Sequence, residues 1–155
     1  MIYVFDSNTL IDIFNHYYPE RFPSFWDNFN GFIAKQTIIS VQEVRRELER
    51  QEDRLSDWVM SHSELFLPPN ADELDFITEI FKVKHFHILI QKKQQYIEGP
   101  AADPFIIAKA KVINGCVVTQ EKHTKNAAKI PNVCDHFGIP CINLEGFMKK
   151  ENWRF

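Results

Sequence analysis

Residues 2–12, Ile2-Tyr3-Val4-Phe5-Asp6-Ser7-Asn8-Thr9-Leu10-Ile11-Asp12, decide the fold. Four apolar residues, β-branched and aromatic, run straight into an acid, the pattern of a strand covered on both faces. Ser7, Asn8 and Thr9 are the residue types that open helices. The stretch therefore reads as buried strand, turn, helix. In open parallel sheets ligands sit beyond the carboxyl ends of the strands, so Asp6 stands where such a sheet keeps its chemistry.

Working outward, strand-like and helix-like pieces alternate. Leu10, Ile13, Phe14 and Tyr17 keep helical spacing up to Pro19, and Pro23 opens a second helix with Phe25, Trp26, Phe29, Phe32 and Ile33 on one face. Thr37 to Ser40 is a second short strand. From Ser40 the stripe Val44, Leu48, Leu55, Trp58 and Val59 predicts one helix of about five turns. Asn70 and Glu73 form a capping pair for a helix carrying Leu74, Ile77 and Phe81. Lys82 to Gly99 reads as helical up to the break at Gly99-Pro100. Asp103-Pro104 supplies an N-cap and a first-turn proline to a helix with Phe105, Ile106, Ala108, Ala110 and Ile113. Cys116 to Thr119 is the third strand, Val133 to Phe137 a short helix stopped by Gly138, and Cys141 to Leu144 the fourth strand.

Such strands, joined through helices, imply right-handed parallel crossovers. The expected architecture is one domain, residues 1–155, a three-layer α/β/α fold on a central, mainly parallel sheet of four to five strands.

Composition narrows the class. With 45% hydrophobic and 25% charged residues the chain is globular. No stretch approaches a membrane span, and Asp6 spoils a signal-peptide reading of the start, so a cytoplasmic protein is expected. The three cysteines, Cys116, Cys134 and Cys141, lie in or beside apolar runs and read as buried free thiols. A net charge of -3 argues against broad non-specific binding to nucleic acid but leaves room for a local basic groove.

The order of five motifs, FDSN (5–8), SVQEV (40–44), AADPFIIAKA (101–110), VVTQE (117–121) and PCIN (140–143), resembles the PIN-domain family, which includes the VapC-like ribonuclease toxins. The resemblance covers nearly the whole chain. It implies a ribonuclease whose carboxylates hold one or two Mg2+ or Mn2+ ions, and position by position these become Asp6, Glu43, Asp103 and Glu121, with Asn8 and Thr119 as polar neighbours. Glu121 departs from the pattern, since the family commonly has Thr-x-Asp where this chain has Thr119-Gln120-Glu121. The resemblance also implies an RNA substrate, a cognate antitoxin protein as partner, and a homodimer.

The residue types suit that chemistry. Phosphodiester hydrolysis benefits from a hard cation that lowers the pKa of bound water, and Mg2+ takes oxygen ligands while keeping several waters. Each acid also has an ordinary structural role to weigh. Asp6 and Asp103 can cap helices, Ser40-x-x-Glu43 matches a capping box, and Glu121 can be a solvated loop charge. Asp12 reads as an exposed acid or a partner of the site, and Asp135 as a helix-surface acid. Arg46 and Arg50, with Lys122, Lys125 and Lys129, are candidates for holding phosphate, although the arginines also suit a solvated helix face. Tyr17, Tyr18 and Phe22 can cover a partner surface.

Two other function classes remain. YVFDSNTL imitates the opening of haloacid-dehalogenase-like phosphatases, but the acid expected two residues after the nucleophile is here Asn8. A PIN-like module that only binds a partner is the other, disfavoured because all four acid positions are filled. Rossmann and Walker loops are absent, and Cys134, His136 and Cys141 lack a fourth ligand at zinc spacing.

Overall fold

The apolar run becomes β1 (Tyr3–Phe5), fully buried at the centre of a five-stranded, all-parallel sheet of order β3-β2-β1-β4-β5. This is seen in a computed structural model, which describes residues 1–50, 53–87 and 101–155. The other strands are β2 (Ile38–Val41), β3 (Phe66–Leu67), β4 (Cys116–Val118) and β5 (Cys141–Ile142). The three-layer α/β expectation holds. β3, only two residues long, has no legible strand signal in the sequence.

Register sorts the strand side chains onto two faces. Tyr3 and Phe5 point to one face, where Phe147 meets both rings edge-on, at 4.8 and 5.2 Å between centroids, and Phe29 meets Phe5 at 6.0 Å. Those partners belong to α2 (Pro23–Ala34) and α8 (Leu144–Lys150). Val4 points the other way, with Val117 beside it in register, toward α6 (Asp103–Val112). Above α6 lies α5 (Ala71–Lys82), opened by the expected Asn70–Glu73 capping box. Beside it, α7 (Ile130–Phe137) is stopped by Gly138 in the left-handed region, a conformation glycine adopts without penalty.

The chain steps from β1 outward to β2 and β3, then returns past β1 to β4 and β5. This reversal puts a switch point between β1 and β4, the crevice in which open α/β sheets bind ligands. The first helix, α1 (Ser7–His16), starts at that crevice.

Several expectations are corrected. The five-turn helix is two helices, α3 (Gln42–Glu49) and α4 (Arg54–Ser61), because Asp53 caps a new start by accepting from Ser56 N at 2.9 Å. Leu74 is exposed, and the inner face of α5 is Glu73, Ile77 and Ile80. α7 begins three residues earlier than expected, and the fourth strand ends at Ile142 because Asn143 caps α8. The helix expected up to Gly99 and the Gly99-Pro100 break fall largely outside the described residues.

A buried ion pair locks the outer layer. Lys109 Nζ lies 2.6 Å from Glu73 Oε1, both side chains being almost fully buried, and donates to the Pro68 carbonyl at 3.2 Å. Glu73 Oε1 thus faces the ammonium, while Glu73 Oε2 accepts from Asn70 N.

Candidate active site

Asp6 directly follows β1 and caps α1, and both of its oxygens are engaged. Oδ1 accepts from Ser7 N at 2.7 Å, and Oδ2 accepts from Thr119 Oγ1 at 2.9 Å across the switch point. Burial raises the Asp6 carboxyl to about 7, helped by the nearby charges of Asp103 and Glu121, while the hydrogen bonds from Thr119 and Ser7 pull the other way. Three of the expected acids, from β1, α6 and the loop after β4, thus share one electrostatic environment.

Glu43 is the second residue of α3, only 2% exposed. Its Oε1 accepts from Gln42 Nε2 at 3.1 Å, whereas among the described residues Oε2 has no hydrogen-bond partner. The Ser40–Glu43 capping box does not form. Ser40 lies inside β2 and donates to the Phe5 carbonyl at 2.7 Å, and Val41 takes the cap position with no side-chain cap. A buried carboxylate oxygen without a donor is expensive, so such atoms call for an explanation.

Asp103 is the first residue of α6 rather than its cap; Ala102 holds that position, and no side chain caps it. Ala102 N donates to Glu47 Oε1 at 3.2 Å, tying the start of α6 to α3. Glu121 does more than sit in solvent: its Oε2 accepts from Ile130 N at 2.9 Å, holding the first turn of α7.

The polar neighbours form a net around Thr119. Asn8 Oδ1 accepts from Gln120 N at 3.0 Å and lies 3.4 Å from Thr119 Oγ1, while Glu121 N donates to Thr119 Oγ1 at 3.2 Å. Sequence reasoning missed Gln120. Its Nε2 donates to Asp12 Oδ2 at 2.6 Å and its Oε1 accepts from Leu144 N at 2.9 Å, joining α1, the end of β4 and α8. Its place within the fourth motif was the only signal, and residue type alone does not reveal a bridge.

The basic candidates divide. Lys122 and Lys125 are exposed on the loop after Glu121, and Lys125 lines a cavity of about 550 Å³ with His85, Phe86, His123, Asn132 and His136. Arg46 and Arg50 are exposed toward the far end of α3. Arg50, seven residues beyond Glu43, lies about 10 Å along the axis.

Among the described residues, no three His, Cys, Asp or Glu side chains converge as a ready ligand set. The donors nonetheless fit a hard cation. They are all oxygens, Glu43 presents a buried oxygen with no hydrogen-bond partner among the described residues, and the Asp6 carboxyl feels two further acids. Mg2+ needs only one or two carboxylates because it keeps its waters.

The fold is that of a parallel α/β protein in which Asp6, at the switch point, feels the charges of Asp103 and Glu121. The chain belongs to the family described as "Domain of unknown function (DUF4411)", whose model matches residues 3–155. Its fold is similar to that of a chain in the crystal structure of VapBC2 from Rickettsia felis bound to a DNA fragment from their promoter. That likeness has a TM-score of 0.53 at 17% identity and covers 92% of this chain and 98% of that one. No curated protein sequence matches the chain. Among the described residues no helix is long and apolar enough to cross a membrane.

Proposed function

We propose that the chain is a divalent-metal-dependent endoribonuclease of PIN type, with Asp6, Glu43, Asp103 and Glu121 as its acids and Mg2+ or Mn2+ as its cofactor. The observation that carries this is Glu43 Oε2, buried with no hydrogen-bond partner among the described residues, in a fold whose Asp6 carboxyl is raised by burial and by the charges of Asp103 and Glu121. A bound cation supplies charge to offset that of the phosphodiester and a water of lowered pKa. Asp6, fixed by Ser7 and Thr119, and Glu43 and Asp103 in the first turns of α3 and α6, are the residues that would hold it. Thr119 and Asn8 orient the acids, and Lys122 and Lys125 offer cationic side chains to the RNA backbone.

The likeness in fold to a VapBC2 chain supports a role as the toxin of a toxin–antitoxin pair, with an antitoxin protein and a second copy of the chain as partners. The test is incubation of purified protein with structured and unstructured RNA in Mg2+, in Mn2+ and in EDTA. Cleavage with a cation and none in EDTA is expected. Intact RNA under all three conditions, from folded protein, overturns the reading.

A further inference from the structure

Two of the three thiols meet between α7 and β5. Cys134, on α7, is fully buried on the side where α7 packs against β5, and Cys141 is the first residue of β5. Strand register explains the meeting. Cys141 lies opposite Val117, which lies opposite Val4, so all three face the α6 and α7 side of the sheet. Cys116 lies opposite Tyr3 and so faces the other side, toward α8. The turn at Gly138 brings α7 back over β5, and Ile139 N donates to the Cys134 carbonyl at 2.9 Å.

Cys141 is also reachable. It is half-buried and lines a cavity of about 420 Å³ with His123, Pro131, Asp135 and Ile139, while Cys134 is fully buried. An accessible thiol backed by a resolving thiol is the arrangement of a reversible oxidation site.

We propose that Cys141 and Cys134 are such a site, oxidised by a hydroperoxide to a disulfide that staples α7 to β5. The Cys141 sulfur attacks the peroxide, taking one oxygen to become a sulfenic acid and releasing water. The Cys134 sulfur then attacks the Cys141 sulfur, expelling a second water as the S–S bond forms. Two thiols and one hydrogen peroxide thus give one disulfide and two waters, and a dithiol reductant reverses the change. Cys141 lines the cavity whereas Cys134 is fully buried, which gives the outer sulfur the nucleophile's part. Glu121 holds the first turn of α7, so the staple adjoins the proposed acids; the oxidation itself does not depend on that assignment.

The experiment treats the full chain with hydrogen peroxide, blocks remaining thiols with iodoacetamide after unfolding, and reads tryptic peptides without reduction. The peptide beginning at Ile130 contains both cysteines. It should become lighter by two hydrogens and take up no alkyl group, while Cys116 is alkylated in full. Treatment with a dithiol should restore both alkylation sites. In Cys134→Ser, Cys141 should instead accumulate as a sulfenic acid that reacts with dimedone. The proposal is overturned if Cys134 in the wild type stays alkylatable while Cys141 proceeds to sulfinic acid, or if the disulfide formed includes Cys116. The wild-type peptide decides the matter even where the serine variant does not fold, and it does so whether or not the protein cleaves RNA.

Discussion

Thr119 Oγ1 donates to Asp6 Oδ2 at 2.9 Å, joining the ends of two strands 113 positions apart in sequence. β1 and β4 are adjacent only because the chain reverses direction across the sheet, and this bond crosses the crevice the reversal creates. Asp6 is therefore held at both oxygens, by its own helix and by the neighbouring strand. That rigidity lets carboxylates of like charge be kept close together.

Asp6→Asn and Asp103→Asn should each abolish RNA cleavage in Mn2+ while leaving the fold intact. Asn is as good an N-cap as Asp, so α1 keeps its first turn. Gel assays alongside far-ultraviolet circular dichroism check this. Full cleavage by either folded variant removes that residue from the site.

Glu43→Gln separates charge from structure. No cap bond at the start of α3 depends on Glu43, so metal-free stability should stay within about 1 kcal/mol of wild type. Cleavage should fall severely, because an amide lacks the charge a cation needs. A variant that cleaves RNA at the wild-type rate assigns Glu43 no part in the chemistry.

The metal-free protein should lose stability as pH rises. The Asp6 carboxyl is raised from 3.8 to about 7 in the folded state, so between those values the native state binds more protons than the unfolded one. The contribution of Asp6 is then fully present below the lower value and is lost as pH climbs through about 7. In EDTA at about pH 8, Asp6→Asn should melt above wild type, and the two should converge at about pH 4. Mn2+ at a hundredfold excess over its dissociation constant should restore roughly 2.7 kcal/mol to the wild type at the higher pH. Melting curves with identical pH dependence for both proteins would count against the raised carboxyl.

Removing Lys109 should be among the most damaging single changes in the outer layer. Lys109→Met leaves the buried Glu73 carboxylate without its cation, at a cost of about 3–5 kcal/mol. The double variant Glu73→Gln, Lys109→Met should recover much of that loss. Urea unfolding of the four proteins of the cycle measures the coupling; additive losses would mean that the ion pair adds nothing.

The sequence by itself determined the alternation of elements, the strand that ends in Asp6, the capping pair at Asn70 and Glu73, and the stop at Gly138. Each is a local matter, fixed by apolar spacing or by the backbone preference of one or two residues. Its motif order also singled out Asp6, Glu43, Asp103 and Glu121, of which Asp103 and Glu121 act by charge on Asp6. Tertiary structure decided the rest. Ser40 and Glu43 satisfy the local pattern of a capping box, yet Ser40 lies in β2 and donates to the Phe5 carbonyl, and among the described residues one Glu43 oxygen has no hydrogen-bond partner. The five-turn stripe is divided because Asp53 starts a new helix, an outcome that hydrophobic periodicity does not register. Glu121 and Gln120 gain their partners, Ile130, Asp12 and Leu144, only when the loop after β4 folds back over α7 and α8. Cys134 and Cys141 meet because parallel register sends Val117 and Cys141 to the face that α7 covers. A single sequence encodes spacing along the chain, whereas these contacts depend on which strand lies beside which, and sheet order is set by the packing of the whole domain.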